Sequence, residues 1–258
     1  MSMGNVLILS DFVGNAEVAM ATSRAVLTRM GHRALCLPTA LISNIWSQGT
    51  PAQLDTTDYL RGALRAWEGQ GLFPEGVLIG YLASEAQAEF VGSQCARWRE
   101  RGVKIFLDPV FADNGRLYRG IGPERLALLR GLLPLVDYVL PNATEARFLT
   151  GLSEPEQAAR ALHQMGAGTA LITGVPQHAG CAVVLCGAAG TQLFPYTPVP
   201  GDFPGAGDAF AALFTGGILR GDTEAQSVSS AISTVKDWIT RTQTAPTPHI
   251  GLPVELLL

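Results

Sequence analysis

The chain has 258 residues, of which 47% are hydrophobic and 16% are charged, and its formal net charge is −4. This length and apolar content suit one large α/β core, whereas mild acidity without any basic run argues against a nucleic-acid partner. No apolar run reaches the roughly 18–20 residues of a membrane span, so we expect a soluble, cytoplasmic protein without a membrane partner.

The first part of the chain alternates between strand-like and helix-like segments. Short apolar runs predict strands over residues 6–9, 34–37, 76–80 and 103–107, because continuous apolar runs of this length are typical of strands buried on both faces. Helices are predicted between them, over about residues 16–30, 57–67 and 84–101. Gly31 is predicted to end the first helix, since glycine readily adopts the left-handed conformation found at helix ends.

The second part continues this alternation and then departs from it. A helix is predicted over residues 126–133, a strand over 136–140, two short helical segments after residue 142, and a strand over 170–173. Residues 181–185 and 191–195 flank a glycine-rich turn and predict an antiparallel hairpin. Two helices follow over about residues 207–219 and 224–240, and the Pro-rich tail 244–258 is predicted to be irregular.

This βαβ alternation predicts a three-layer α/β/α sandwich with a mostly parallel central sheet, as one domain over residues 1–258. Ligands of such sheets bind outside the carboxyl ends of the strands. Polar residues that follow the predicted strands are therefore candidate site residues: Ser10 and Asp11, Ser43 and Asn44, Tyr81, Asp108, Asn142 with Glu145, and Thr173 with Gly174.

The four cysteines give no sign of a metal site. Cys36, Cys95, Cys181 and Cys186 form no Cys-x-x-Cys pair, and no histidine lies at zinc-ligand spacing from them. We interpret them as buried thiols in a reducing cytosol, where disulfides are rare.

Residues 202–210, with the sequence DFPGAGDAF, carry the strongest chemical signal. Gly205 and Gly207 predict a turn that opens a helix, whose unpaired N–H groups attract anions. A carboxylate at that place repels phosphate, so Asp208 makes chemical sense as a base that deprotonates a hydroxyl attacking a phosphate. The pattern therefore indicates phosphoryl transfer to an alcohol, although an ordinary capped helix start has the same pattern.

Two other nucleotide-binding motifs do not fit this segment. A Walker loop needs Gly-Lys-Ser/Thr, which does not follow here, and the chain has only two lysines, Lys104 and Lys236. The dinucleotide-binding fingerprint continues without a carboxylate at the position of Asp208.

Four earlier segments accompany this motif in a fixed order. They are Leu41-Ile42-Ser43-Asn44, Gly80-Tyr81-Leu82, Asp108-Pro109-Val110 with Asp113 and Tyr118, and Pro141-Asn142-Ala143-Thr144-Glu145-Ala146. With them the chain resembles the ribokinase-like kinases over about residues 5–243, and among these the pyridoxal (vitamin B6) kinases. The resemblance implies a single ribokinase-like domain that phosphorylates the hydroxymethyl group of pyridoxal, pyridoxine or pyridoxamine with ATP.

The resemblance also implies roles for residues on the acceptor side. Asp208 matches the catalytic base, and the amides of Gly205, Ala206 and Gly207 match the anion hole for the transferred phosphate, where fixed donors stabilise the charge of the transition state. The residues that match those holding the pyridine ring are Ser10, Ser43 and Tyr81.

On the nucleotide side, Asn142 and Glu145 match the Asn-x-x-Glu pair that holds Mg²⁺, largely through water. The remaining ATP-binding matches are Asp113 and Tyr118, in a segment that closes over the phosphates, and Thr173 and Gly174, which contact the phosphates after the next strand. The resemblance thus implies Mg²⁺ and ATP as partners and a homodimer, and it leaves open whether a monovalent cation is needed.

Simpler structural roles stay open for several of these residues. Asn142 could cap its helix with Glu145 completing a capping box, and Asp113 could be a turn residue. Tyr81 could be a half-buried aromatic side chain at a strand end.

The chain departs from the family pattern at the ring pocket and at the phosphate loop. Ile45 stands where these kinases usually have histidine, Pro204 and Ala206 stand where threonines are common, and Leu140 replaces a threonine. Three alternatives therefore stay open: a hydroxymethylpyrimidine kinase, another small-alcohol kinase of the superfamily such as a sugar kinase, and a non-catalytic vitamin-binding relative.

Overall fold

The computed structural model describes residues 4–244 and 249–257. The chain divides into two compact units, the first made of Met1–Ala83 and Val199–Leu258 and the second of Ser84–Pro198. The first unit is therefore discontinuous in sequence, whereas the second is one continuous segment. The prediction of a single domain over residues 1–258 stays a prediction.

The strands and helices follow one another in a mostly alternating order. The strands are β1 (Asn5–Val13), β2 (Arg33–Ile42), β3 (Gln53–Asp55), β4 (Gly76–Ile79), β5 (Lys104–Leu107), β6 (Ala112–Asp113), β7 (Arg116–Leu117), β8 (Tyr138–Val139), β9 (Thr169–Gln177), β10 (Gly180–Gly187) and β11 (Gly190–Tyr196). The helices are α1 (Ala19–Arg29), α2 (Thr57–Gly69), α3 (Glu85–Glu100), α4 (Pro123–Leu132), α5 (Ala143–Thr150), α6 (Pro155–Gln164), α7 (Ala206–Arg220), α8 (Glu224–Gln243) and α9 (Val254–Leu257). Two short 3₁₀ helices cover Trp46–Gln48 and Leu133–Leu135.

In the first unit, the strand order is β4-β1-β2-β3. β1 is parallel to both of its neighbours, and β3 is antiparallel to β2. Residues 6–9 are buried because strands flank them on both sides and α1 packs against β1. α7 packs against α1, α8 and β4, which brings the start of α7 close to the start of α1.

In the second unit, the strand order is β11-β10-β9-β8-β5. β5, β8 and β9 run parallel, whereas β10 is antiparallel to both β9 and β11, so the predicted hairpin is confirmed. α3 packs against β5, α5 packs against β9, and α6 packs against β9 and β10. A short two-stranded ribbon, β6 with β7, follows the loop after β5.

The predicted fold class is confirmed. Within the described ranges, nine strands form a mostly parallel sheet with helices on both of its faces. None of the helices in those ranges combines the length and the apolar character needed to cross a membrane.

Several boundaries differ from the predictions. β1 continues to Val13, because it pairs with β2 again after a register shift between Ser10 and Phe12. α1 begins at Ala19, since Glu17 before it forms a bridge with Gly251. This bridge and α9 show that the prediction of an irregular tail was wrong for those residues; 245–248 and 258, also in that prediction, lie outside the described residues.

Candidate active site

Asp208 lies in the first turn of α7, directly after the glycine turn predicted from the sequence. Gly205 caps the helix with a φ of 87°, a left-handed conformation that suits glycine. A Cβ atom at Gly205 would lie 2.8 Å from the carbonyl oxygen of Glu17, so a side chain there would meet backbone. At Gly207, by contrast, a Cβ atom would meet no heavy atom within 4 Å, so the helix start is open at that residue.

The amides of this turn are not equivalent. The Ala206 N–H donates to the carbonyl oxygen of Phe203 at 3.1 Å. The Gly205 carbonyl, in turn, accepts the N–H of Ala209 at 2.9 Å as the helix begins. Of the three amides predicted to form an anion hole, that of Ala206 therefore already has an acceptor within the turn.

A second helix start faces the Asp208 carboxylate. The N–H of Ala19, the first residue of α1, donates to Asp208 Oδ2 at 2.8 Å. The first N–H groups of a helix have no partner inside it, and the helix dipole makes that end positive. Asp208 therefore lies between two positive helix ends, its own and that of α1.

Two opposing effects set the basicity of Asp208. Burial raises the pKa of its carboxyl above the ordinary value, because the charged form loses contact with water. The hydrogen bond from the Ala19 N–H opposes this effect by stabilising the charged form. A carboxylate in this environment is a stronger base than one on the surface, while its orientation stays fixed.

Asp11, at the carboxyl half of β1, is a second buried carboxyl next to Asp208. Only 9% of its surface is exposed, and its Oδ1 accepts a hydrogen bond from Ser10 Oγ at 3.2 Å. Burial, and then the charge of Asp208, raise the pKa of Asp11 from 3.8 to about 7. The sequence reasoning named Asp11 as a polar residue at the strand end and gave it no role, because a single acidic residue after a strand does not reveal its neighbours.

The predicted ring-binding residues occupy different environments in the first unit. Tyr81 packs, together with Ile45, against a buried apolar cluster made of Val13, Ala16, Val18, Ala19, Ala40 and Ile42. The hydroxyl of Tyr81 accepts a hydrogen bond from Gln53 Nε2 at 3.3 Å. Ile45, which stands where the family usually has histidine, thus packs against the same apolar cluster as Tyr81.

Ser10 and Ser43 differ in exposure. Ser10 is buried and held by Asp11, whereas Ser43 is exposed. The Ser43 hydroxyl donates to Asn44 Oδ1 at 2.7 Å and accepts the N–H of Ala52 at 2.9 Å. Ser43 therefore stabilises its own loop in this structure.

In the second unit, Asn142 and Glu145 form the capping box that the sequence left open as a structural role. Asn142 Oδ1 accepts the N–H of Glu145 at 2.9 Å, and Glu145 Oε2 accepts the N–H of Asn142 at 2.9 Å. Glu145 Oε1 also accepts the N–H groups of Phe111 and Ala112, at 2.9 and 3.4 Å. The pair thereby fastens the loop after β5 to the start of α5.

These bonds also test whether the pair can hold a metal ion. Glu145 is only 2% exposed, and its two oxygens already accept three N–H groups. Asn142 Nδ2 donates to the Ala112 carbonyl at 2.8 Å, so both ends of that side chain are engaged. Direct coordination does not fit this arrangement. In the part of the chain that the structure describes, no group of three or more His, Cys, Asp or Glu side chains is arranged to hold a metal.

The remaining predicted nucleotide-binding residues lie around the same helix start. Asp113 is an exposed residue at the end of β6, where its carboxylate accepts the N–H of Asn114 at 2.7 Å, and Tyr118, directly after β7, is 38% exposed. Thr173 donates its N–H to the Pro141 carbonyl at 3.0 Å and forms a bridge with Asn142. Gly174 follows with a φ of 65° and no atom within 4 Å of its Cβ position. The second unit thus brings Asn142, Glu145 and Thr173 together, with Asp113 and Tyr118 on the adjoining ribbon.

Replacing Asn142 with alanine is expected to lower the free energy of unfolding by about 1–2 kcal/mol, because the helix cap is lost together with the bond to Ala112. The resemblance implies that the adjoining Asp113 and Tyr118 bind ATP, so the Michaelis constant for ATP should rise as the 111–112 segment loosens. Urea denaturation and initial rates at varied ATP measure the two effects. Thr223→Ala is the matched control, since Thr223 caps α8 in a second, exposed capping box. Equal changes in ATP dependence in both variants would contradict a local role of Asn142.

A family model and a curated relative both match most of the chain. Residues 55–252 match the family model described as phosphomethylpyrimidine kinase. A pyridoxal kinase from Corynebacterium diphtheriae, PdxY, is 28% identical in an alignment that covers 93% of this chain and 90% of that protein.

Solved structures show the same fold. A putative phosphomethylpyrimidine kinase from Bacteroides thetaiotaomicron superposes with a TM-score of 0.90 at 26% identity, covering 99% of this chain and 93% of the other. Its orthorhombic form with pyridoxal gives 0.88 at 25% identity, covering 99% and 94%. A pyridoxal kinase from Lactobacillus plantarum gives 0.88 at 28% identity, covering 99% and 96%. The ribokinase-like fold expected from the sequence motifs is thereby confirmed.

Proposed function

We propose that this chain, which belongs to the phosphomethylpyrimidine kinase family, transfers the γ-phosphoryl group of ATP to the hydroxymethyl group of pyridoxal, pyridoxine or pyridoxamine. The observation that carries the proposal is the carboxylate of Asp208, held by the Ala19 N–H at the open, glycine-rich start of α7. Such a group can accept a hydroxyl proton where a phosphate is also bound.

On the acceptor side, Asp208 takes the proton of the substrate hydroxyl as its oxygen attacks the γ-phosphorus. The new oxygen–phosphorus bond forms while the bond to the β–γ bridging oxygen breaks, and ADP leaves. Little covalent chemistry falls to the protein in such a reaction, so its main tasks are positioning and stabilisation of charge. We assign the anion-binding amides to Gly205 and Gly207, because the Ala206 N–H is donated to Phe203.

On the nucleotide side, we propose that Asp113, Tyr118, Thr173 and Gly174 contact ATP and that Asn142 and Glu145 hold the 111–112 segment in place. Mg²⁺ enters as the ion that accompanies ATP and would neutralise phosphate charge. Because the Glu145 oxygens are occupied by N–H donors, we assign no direct metal bond to them and no step of the reaction to the ion.

The relatives and the apolar residues near the carboxyl ends of the strands support this acceptor class. Proteins named pyridoxal kinase match the chain over nearly its whole length, and a Bacteroides structure in this fold contains pyridoxal. Tyr81 and Ile45 offer apolar surface suited to a flat aromatic ring. A hydroxymethylpyrimidine is the second candidate, since the family model carries that description and the ring has the same shape and reacting group.

ADP release from Mg·ATP with pyridoxal, pyridoxine, pyridoxamine, hydroxymethylpyrimidine and ribose tests the proposal. Turnover is expected with the pyridines. Turnover with the pyrimidine or the sugar alone would keep the phosphoryl transfer and overturn the acceptor. Measurable pyridoxal binding in a calorimeter, without any ADP release, would instead point to a non-catalytic vitamin-binding protein.

We also propose that the protein is a cytoplasmic homodimer. Three apolar side chains, Phe12, Leu41 and Leu54, lie directly opposite one another across β1, β2 and β3, with exposed fractions of 45%, 43% and 59%. An exposed apolar row that ends at a sheet edge favours contact with a second copy related by two-fold symmetry. The four cysteines are free thiols, which suits a reducing compartment.

Leu54→Asp is therefore expected to convert the dimer to a monomer, because it places a charge in the apolar row at the sheet edge. Size-exclusion chromatography with light scattering measures the mass directly. Leu193→Asp is the control, since Leu193 is similarly exposed on β11, the strand at the other end of the sheet order. A Leu54→Asp protein that keeps the parental dimer would remove this row from the interface.

A further inference from the structure

The carbonyl oxygen of Glu17 contacts three separate segments of the first unit. It accepts hydrogen bonds from Thr22 Oγ1 at 2.9 Å and from the N–H of Leu252 at 3.2 Å. The Cβ positions of Gly205 and Gly251 lie 2.8 and 2.2 Å from the same oxygen, so both glycines are packed directly against it. One backbone atom thus joins the segment before α1, the start of α7 and the C-terminal part of the chain.

The C-terminal contribution comes from residues 249–252, which we name the strap. The N–H of Glu17 donates to the Ile250 carbonyl at 2.8 Å, and the N–H of Leu252 donates to the Glu17 carbonyl. This is the pattern of a parallel β-bridge. His249 Nδ1 lies 3.7 Å from Glu17 Oε1, and Ile250 packs against the buried cluster that contains Ala19. Leu252 is fully buried. The strap is therefore anchored through backbone hydrogen bonds, through apolar contacts and through the approach of His249 to the Glu17 carboxyl group.

The segment held by the strap has an unusual backbone conformation. Ala19 has a φ of 50°, in the left-handed region that an alanine rarely adopts. Such a conformation persists only where the surrounding structure fixes it, and it is common at functional sites. Here the conformation directs the Ala19 N–H at Asp208 Oδ2, at 2.8 Å.

We infer that the strap is a positioning element for catalysis, which holds Glu17 and thereby keeps the Ala19 N–H on the carboxylate of Asp208. Its residues do not touch the reacting atoms in this scheme; they act through Glu17 and Val18, the single residue between Glu17 and the donor Ala19. The inference rests on the proposed role of Asp208 as the base. Glycine is required at position 251 because its φ is 103° and any side chain would enter the Glu17 peptide.

Gly251→Ala tests the inference, since the added methyl group must displace Glu17. The turnover number should fall about ten-fold or more, with the Michaelis constants for ATP and pyridoxal nearly unchanged. The acidic limb of the turnover–pH profile should also move to higher pH, because Asp208 loses the N–H that lowers its pKa. Gly221→Ala is the matched control: Gly221 has a φ of 93° but no atom within 4 Å of its Cβ position.

A second variant covers the case in which Gly251→Ala does not fold. Thr22→Val removes the hydroxyl bond to the Glu17 carbonyl and nearly preserves the volume of the side chain. A fall in turnover of about three-fold, with the same direction of the pH shift, is expected. Three other titratable groups, Asp11, Glu17 and His249, lie on the segments that pack around the Glu17 carbonyl and Asp208. The turnover–pH profiles are therefore also measured in an Asp11→Asn background.

The outcomes separate this inference from the proposed function. Parental turnover and an unmoved acidic limb, in folded Gly251→Ala or in Thr22→Val, would overturn the role of the strap. If Asp208→Asn is inactive in the same assay, the proposed base survives that result. If Asp208→Asn keeps its turnover, the base assignment fails first, and the strap then has no catalytic group to position.

Discussion

Asp208→Asn is expected to lower the turnover of pyridoxal phosphorylation by about 1,000-fold, within the range of about 10²–10⁴ typical for loss of a general base. Asparagine keeps the shape and can still accept the Ala19 N–H bond, but it cannot take the hydroxyl proton. The fold and the affinity for ATP should therefore change little. Coupled detection of ADP gives the rates, and calorimetry gives the ATP affinity.

Asp202→Asn is the matched control for this substitution. Asp202 is an exposed carboxyl in the same loop, six positions earlier, so its replacement changes the charge of the loop without removing the proposed base. Turnover near the parental rate is expected for Asp202→Asn. A similar loss in both variants would show that charge in the loop, rather than proton transfer at Asp208, controls the rate.

The second large effect is a pH dependence of the free energy of unfolding that comes from Asp11. Because burial raises the pKa of Asp11 from 3.8 to about 7 in the folded protein, the folded state binds this proton more tightly than the unfolded state does. The contribution to stability is fully present below pH 4 and is lost as the pH rises to about 7. A change of this size corresponds to about 4 kcal/mol at pH 8.

Asp11→Asn removes the titration, so its free energy of unfolding should depend less on pH than that of the parent. At pH 8 the variant should be the more stable protein, while at pH 4 the two should be similar, since Ser10 Oγ can still donate to the amide oxygen. Urea denaturation at both pH values measures this. Asp58→Asn, at a fully exposed carboxyl on α2, should leave the parental pH dependence intact. Parallel curves for the parent and Asp11→Asn would show that Asp11 titrates normally.

The elements were predictable from the sequence where local pattern and burial agree. The run at residues 6–9 is apolar on both faces and lies in a strand that pairs with β2 and β4, inside the sheet. The helices predicted over residues 57–67 and 84–101 lie at Thr57–Gly69 and Glu85–Glu100. β3 escaped prediction because its residues 53–55 are exposed and few, so neither burial nor periodicity marks them. The tail was mispredicted because its order comes from pairing with Glu17, more than 200 residues away in sequence.

The residues of the candidate site also fall into two groups, those that a local sequence pattern predicts and those that only distant contacts reveal. The motif around Asp208 and the capping box at Asn142 are short local patterns, and both take the local structure that their spacing indicates. Asp11, the buried carboxyl beside Asp208, and Ala19, which donates its N–H to Asp208, belong to no sequence motif. Their importance comes from contacts across the chain, and an alanine gives no sequence signal for a left-handed conformation.

The division of the chain into a continuous unit and a split unit has a consequence for its synthesis. Residues 84–198 leave the ribosome as one complete segment, whereas the first unit waits for residues 199–258 to be translated. Asp208 and the strap both belong to that late segment. A nascent chain arrested before residue 205 therefore holds the residues assigned to ATP without the proposed base, so premature termination yields polypeptides that cannot carry out the proposed transfer.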